Sequence, residues 1–239
     1  MSEHCKIIFF DIDGTLLSTG GAGQVALGEA LHDSFEVEFP FQGVQTSGRT
    51  DRGIVDEIFE THGVENTPDS REKFRESYLR RVPAALEGNS GRVYAGVPEL
   101  LKLLAADDRI ALGVLTGNYE ASAWLKLRHY GVAEYFGFGG FGDHHAERND
   151  VATIAVDAAE KSLGYRPAPA DMLVIGDTIP DIVCSRHIGA CAAAVATGNF
   201  TADELRVGSP DLLFEDLSDA NDVAQQMRNA LGLAETGRT

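Results

Sequence analysis

Residues 7–15 read Ile7-Ile8-Phe9-Phe10-Asp11-Ile12-Asp13-Gly14-Thr15. The unbroken apolar run spells a buried strand. It stops on two carboxylates, a glycine and a hydroxyl. Open α/β sheets bind ligands just beyond the carboxyl ends of their strands, so acids at this place are positioned for chemistry. Two carboxylates one residue apart repel each other unless a cation or a shared proton offsets them. Asp11 and Asp13 are therefore candidates for metal binding and for nucleophile plus acid/base work.

Outward from this strand the pattern changes. Gly20, Gly21 and Gly23 mark a loop or hinge, and residues 22–88 show helical periodicity. Val25, Leu27, Ala30, Leu31 and Phe35 predict one helix. Ile54, Val55, Ile58 and Phe59 predict a second, with Thr50 and Asp51 as cap candidates. Residues 69–87 predict a third, opened by Asp69 or Ser70 and disturbed near its end by Pro83. From residue 97 helix and strand alternate. Helices are expected over 98–106, 120–130, 150–163, 179–188 and 220–231, and strands over 110–115, near Phe138, and over 172–175, 192–195 and 212–214. Such alternation implies a parallel sheet covered by helices, with the earlier helical stretch inserted over the strand ends. The tail Glu235–Thr239 is expected to fray.

Two other predicted strands also end in polar groups. Ile110–Leu115 runs into Thr116-Gly117-Asn118, suited to holding an oxyanion, although alone this is ordinary turn chemistry. Met172–Ile175 runs into Gly176-Asp177, with Asp181 four residues on. Helix capping by Asp177 and a solvated Asp181 would explain these two as well. The conjunction is stronger than its parts, because in an open sheet the strand ends converge on one crevice. A cluster of Asp11, Asp13, Asp177 and Asp181 is rich in oxygen and negative charge, which suits a hard cation such as Mg²⁺.

The bulk properties narrow the classes. A chain of 239 residues can bury a core without staples, either as one domain or as a core with an insert. A net charge of −17 argues against nucleic acid or an anionic membrane surface as partner. Three unpatterned cysteines, and no signal peptide or membrane-spanning run, suggest a cytoplasmic protein. His144-His145 beside Asp143 lacks a third spaced ligand and reads as a surface loop. Trp124, Leu125, Leu127 and Tyr130 read as core packing.

These motifs together resemble the haloacid dehalogenase-like (HAD) hydrolase superfamily. Asp11-Ile12-Asp13-Gly14-Thr15-Leu16 is similar to its first motif, Val114-Leu115-Thr116-Gly117-Asn118 to its second, and Gly176-Asp177-Thr178-Ile179-Pro180-Asp181 to its fourth. The placing of the helical stretch is similar to that in the phosphoglycolate phosphatase-like branch. The resemblance implies an α/β fold: a Rossmann-like parallel sheet core (1–16 and 94–239) with an inserted α-helical cap (17–93). It implies Asp11 as nucleophile, Asp13 as acid then base with Thr15 in support, and Thr116, Gly117 and Asn118 around the phosphoryl group. Mg²⁺ would sit on Asp11, the Asp13 backbone carbonyl and Asp177, with Asp181 close by. The family's third motif is usually a lysine; here Arg148 stands nearest that place, with Lys161 as rival. Arg49, in the cap loop Ser47–Asp51, is a candidate contact for an anionic substrate group. Asp13 favours phosphoryl chemistry over dehalogenation. The function implied is Mg²⁺-dependent hydrolysis of a small phosphorylated metabolite, phosphoglycolate-like, through an aspartyl-phosphate. The alternatives are a phosphosugar mutase and a weakly catalytic sensor of phosphate or metal.

Overall fold

A computed structural model describes residues 5–233. In chain order the elements are β1 (Lys6–Phe10), β2 (Leu17–Ser18), α1 (Ala22–Phe35), α2 (Asp51–Thr61), α3 (Pro68–Gly88), β3 (Arg92–Val93), α4 (Val97–Ala105), β4 (Ile110–Leu115), α5 (Glu120–His129), β5 (Phe138–Gly140), α6 (Arg148–Leu163), β6 (Met172–Gly176), α7 (Ile179–His187), β7 (Cys191–Val195), α8 (Ala202–Arg206), β8 (Leu212–Phe214) and α9 (Ala220–Ala230). Six strands form one parallel sheet in the order β5-β4-β1-β6-β7-β8. This is the expected Rossmann-like α/β core. The predicted fraying of Glu235–Thr239 concerns residues outside the described range.

β1 is central because its side chains are buried on both faces. Ile8 and Phe10 pack with Leu100, Leu112 and Met227 in one cluster, while Ile7 and Phe9 pack with Val151, Ala155 and Val174 in another. Period-two alternation delivers these residues to opposite faces of the sheet. The chain leaves β1 for β4 and β5 on one side and returns to β6, β7 and β8 on the other. The order therefore reverses at β1, and its carboxyl end opens on the crevice. Phe10 is in register with Val114 of β4 and Ile175 of β6. Asp11, Thr116 and Asp177 thus leave neighbouring strands at nearly one level.

Helices α1–α3 lie between β2 and β3, which pair as an antiparallel ribbon. They bury their own apolar cluster, including Leu31, Ile58, Phe59 and Phe74, with Tyr119 of the core loop entering it. Some boundaries differ from expectation for local reasons. α3 is capped by Thr67, whose hydroxyl accepts from the Ser70 N–H at 3.1 Å, with Pro68 in its first turn. Pro83 does not end that helix: it lies on the exposed face, where water can satisfy the carbonyl whose partner it removes. The short α8, not among the expected helices, opens on a capping box formed by Thr201 and Glu204.

Candidate active site

A cavity of about 400 Å³ lies between the strand ends and the three-helix insert. Asp11, Asp13, Thr116, Arg148 and Asp177 line it from the core, and Arg49, Asp51 and Tyr78 from the insert. Asp11 and Asp177 are buried at its floor, and Asp181 is buried beside them. These three carboxylates each place an oxygen within 4.8 Å of the others. Burial pushes the Asp11 carboxyl above its ordinary range, against the pull of Arg148 and with further lift from Asp181. Burial, then repulsion from Asp181 and Asp11, pushes Asp177 up as well.

Such a cluster needs positive charge, and the residues fit a hard divalent cation. The donors are oxygens, and the carboxylates resist ionising without a cation to offset them. Glycines fix the geometry. Gly14 has φ +88°, and a methyl on it would overlap the Asp177 carboxylate, as would one on Gly198. Gly14 therefore meets both a left-handed backbone and a close approach. Asp181 is less free to act as a direct ligand. Its Oδ2 accepts from the Thr178 N–H at 3.0 Å and hydroxyl at 2.6 Å, and its Oδ1 pairs with Arg148.

Arg148 stands in the first turn of α6, two residues earlier than that helix was expected to begin. Its Nη2 lies 2.9 Å from Asp11 Oδ1, and the same nitrogen pairs with Asp181. Burial opposes the guanidinium charge, but Asp181 and Asp11 more than offset it and hold its pKa well above the ordinary value. Lys161 is exposed late in the same helix. Of the two rivals, Arg148 is the one beside Asp11.

Asp13 faces different partners. Lys126 Nζ donates to its Oδ2 at 2.6 Å, and Asn118 Nδ2 donates to the same oxygen at 2.8 Å. Asn118 also donates to Thr116 Oγ1 at 2.7 Å and accepts from Lys126 at 2.7 Å. The Thr15 hydroxyl, expected to support Asp13, instead reaches Asp177 Oδ1 at 3.3 Å. Gly14 turns the chain back, its N–H donating to Leu17 O, so the side chain after it points to β6 rather than to Asp13.

The insert closes over this floor by specific hydrogen bonds. The Asp51 N–H donates to Gly117 O at 2.7 Å, the Tyr119 N–H donates to Asp51 Oδ2 at 2.9 Å, and the Thr50 hydroxyl donates to Ala146 O at 2.9 Å. A side chain at Gly117 would strike the Arg49 backbone. Lost hydration pushes the Asp51 carboxyl up to about 6, with Lys126 pulling the other way. The Arg49 guanidinium does not extend toward the acids. It pairs with Glu57 and donates to Gln45 O at 3.2 Å and Gly53 O at 3.1 Å.

The haloacid dehalogenase-like hydrolase family matches residues 5–189 of this chain. The chain belongs to that family. Among relatives of this hydrolase, a protein named probable phosphatase IndB from Dickeya dadantii is 27% identical, over 89% of this chain and 90% of that protein. A phosphoglycolate phosphatase from Nitrosospira multiformis is 27% identical over 81% of this chain and 84% of its own length. Two solved structures share the fold. One, titled a predicted phosphoglycolate phosphatase from Haemophilus somnus, superposes with TM-score 0.64 at 21% identity, covering 94% of this chain and 100% of that one. The other, a β-phosphoglucomutase from Clostridium difficile, gives 0.70 at 15%, covering 95% and 97%.

Reading the sequence of this hydrolase missed Lys126 and placed Asp51 only as a cap. Lys126 is buried on the inner stripe of α5 with Ser122, Ala123 and Leu127. A charged residue on an apolar stripe was the available signal. The α2 N-cap is Thr50, whose hydroxyl accepts from the Gly53 N–H at 3.0 Å, which frees Asp51 to bridge to the core.

Proposed function

We propose that this hydrolase cleaves a small phosphomonoester, phosphoglycolate-like in size, in two steps through phospho-Asp11. The observation that carries the reading is the Asp11 carboxylate at the sheet's switch point, ion-paired to Arg148 and beside the Asp177 carboxylate. A phosphate dianion repels a carboxylate nucleophile until cations neutralise both. Asp11 attacks phosphorus and the leaving oxygen takes a proton from Asp13. Asp13 then takes a proton from the water that releases phosphate. Thr116 and the Gly117 backbone hold phosphoryl oxygens, with Asn118 orienting Thr116. Arg148 holds Asp11 and offers further guanidinium donors to the phosphoryl group.

Asp11, Asp177 and the Asp13 carbonyl would hold Mg²⁺, with Asp181 behind them. The ion, when bound, would supply charge to offset the phosphoryl oxygens. We take residues 17–93 as a cap that hinges at the β2–β3 ribbon and excludes bulk water when closed. Cys5, Cys184 and Cys191 are free thiols, which supports a cytoplasmic setting. Among the described residues no helix is long and apolar enough to cross a membrane.

Phosphate release from a panel of small phosphomonoesters, with and without Mg²⁺, tests this. Release that depends on metal and vanishes in Asp11→Asn is expected. Unchanged turnover in that variant would sink the nucleophile assignment. Conversion of a sugar 1-phosphate to its 6-phosphate with little free phosphate would make the enzyme a mutase.

A further inference from the structure

Lys126 and Arg148 are the buried cations among the described residues. Burying an ammonium costs several kcal/mol unless close partners repay it, so its retention calls for a reason. Arg148 pairs with Asp11, and Lys126 pairs with Asp13. Each acid of the first motif thus has its own cation, from a different helix.

The Lys126 contacts are directional. Its ammonium and the Asn118 amide converge on Asp13 Oδ2, and no donor among the described residues reaches Oδ1. The Asp13 side chain is 40% exposed, against 4% for that of Lys126, so the carboxylate opens on the cavity while its anchor is sealed below. Gly23 of α1 packs over that anchor: a methyl there would stand 3.6 Å from Nζ, in ordinary van der Waals contact. Asn118 carries the same network on to Thr116.

We propose that Lys126 is a positioning residue which, with Asn118, fixes the Asp13 carboxylate so that Oδ1 exchanges the proton with the leaving oxygen and then with water. The proposal rests on the phosphatase reading above. In the first step the Asp11 oxygen bonds to phosphorus, the bond to the leaving oxygen breaks, and the Oδ1 proton goes to that oxygen. In the second step water bonds to phosphorus, the bond to Asp11 breaks, and a water proton returns to Oδ1. A carboxylate free to rotate would serve both steps poorly, since proton transfer needs heavy atoms within hydrogen-bond reach.

The test compares wild type, Lys126→Met, Lys126→Arg and Asp13→Asn, all with saturating Mg²⁺, on phosphomonoesters of graded leaving-group pKa. p-Nitrophenyl phosphate needs little protonation of its leaving group, and alkyl phosphates need much. Lys126→Met is expected to lose about 10²-fold in kcat/KM on alkyl phosphates, and less than about 10-fold in the first step on p-nitrophenyl phosphate, the range of general acid–base effects. It should also show a burst of p-nitrophenol, because water attack on the phosphoenzyme becomes limiting. Asp13→Asn should show the same pattern, and Lys126→Arg should recover part of the loss.

An equal loss across all leaving groups, or none, would overturn the proposal. So would a rise in KM confined to substrates carrying a second anionic group, which would make Lys126 a substrate contact. If Lys126→Met does not fold, Lys126→Gln, which keeps a donor, reads the same leaving-group dependence. A wild type that releases no phosphate from any member removes the phosphatase reading and this proposal with it. Active wild type, inactive Asp11→Asn and a flat Lys126→Met removes the proposal alone.

Discussion

Arg148→Met should cost both stability and activity, and the stability loss should grow with pH. The side chain sits between Asp11, at 2.9 Å, and Asp181, with Asp177 in the same acid group. Removing one partner of a buried ion pair costs about 3–5 kcal/mol because the other charge is left uncompensated. Here the acids can limit the damage by keeping protons. Asp11 and Asp177 already stand above their ordinary range through burial. A group whose folded pKa is raised favours folding below its unfolded pKa and loses that contribution as pH rises through the folded value. Without Arg148 the Asp11 value climbs further, so the penalty reaches its full size only at higher pH. A loss of about 3 kcal/mol at pH 8, and clearly less at pH 5, follows. For a chain of this size that is about 6–12 °C in Tm at pH 8. Thermal unfolding without added metal, at both pH values, reads it, and Arg148→Lys should restore part of the loss. A shift under about 2 °C at pH 8, or an equal shift at both pH values, would refute the electrostatic account.

Three other outcomes are expected. Gly14→Ala combines a left-handed φ with overlap on Asp177, and should cost about 2–4 kcal/mol and raise the Mg²⁺ needed for half-maximal activity at least about tenfold, measured by urea unfolding and metal titration. Asp51→Asn keeps an acceptor for the Tyr119 N–H but removes a carboxyl raised to about 6, so stability above pH 6 should rise by up to about 3 kcal/mol, seen as a higher Tm, with no gain below pH 4; parallel Tm–pH curves would contradict this. Lys161→Ala should leave turnover and Tm within error, since that side chain is exposed late in α6.

Much of this arrangement could be read from the chain because it lives in short-range patterns. The run Ile7–Phe10 needs both sheet faces covered, and it has them. The polar groups after Leu115 and Ile175 follow strands in register with β1, so the sheet brings them together. Arg148 came from the family resemblance, as the residue nearest the third motif's usual lysine; the fold sets it in the first turn of α6, 2.9 Å from Asp11. Lys126 was not. On α5 it lies between Leu125 and Leu127, where a lysine ordinarily lays its stem along the surface and keeps its head in water. Its partner is 113 residues earlier in the chain, and only the folded chain brings the two within reach. Arg49 shows what a loop motif leaves open. It lines the cavity as its loop suggested, but Glu57 and two carbonyls of the same insert hold its Nη1 and Nη2, which the sequence did not foretell.

The closeness of Asp11 and Asp13 in sequence conceals how far their environments diverge. In a continuing strand, residues two apart share a face, and the two carboxylates would compete for one cation. β1 ends at Phe10, and the next residues wind into a turn in which the Thr15, Leu16 and Leu17 N–H groups all donate to Ile12 O. The turn parts the side chains. Asp11 goes down to Arg148 and the other buried acids, and Asp13 goes up to Lys126 and Asn118. The charges bear this out: of the groups that raise the Asp11 pKa, burial and Asp181 outrank Asp13. The repulsion expected from the motif is thus mostly relieved by the turn and the second cation, and the strong repulsion lies between Asp11, Asp177 and Asp181. On the proposed reading, a divalent cation held by Asp11 and Asp177 would offset the repulsion of that trio, more than that of the Asp11–Asp13 pair. Its removal should raise the protonation of Asp177 and Asp11 while leaving the Lys126–Asp13 contact in place.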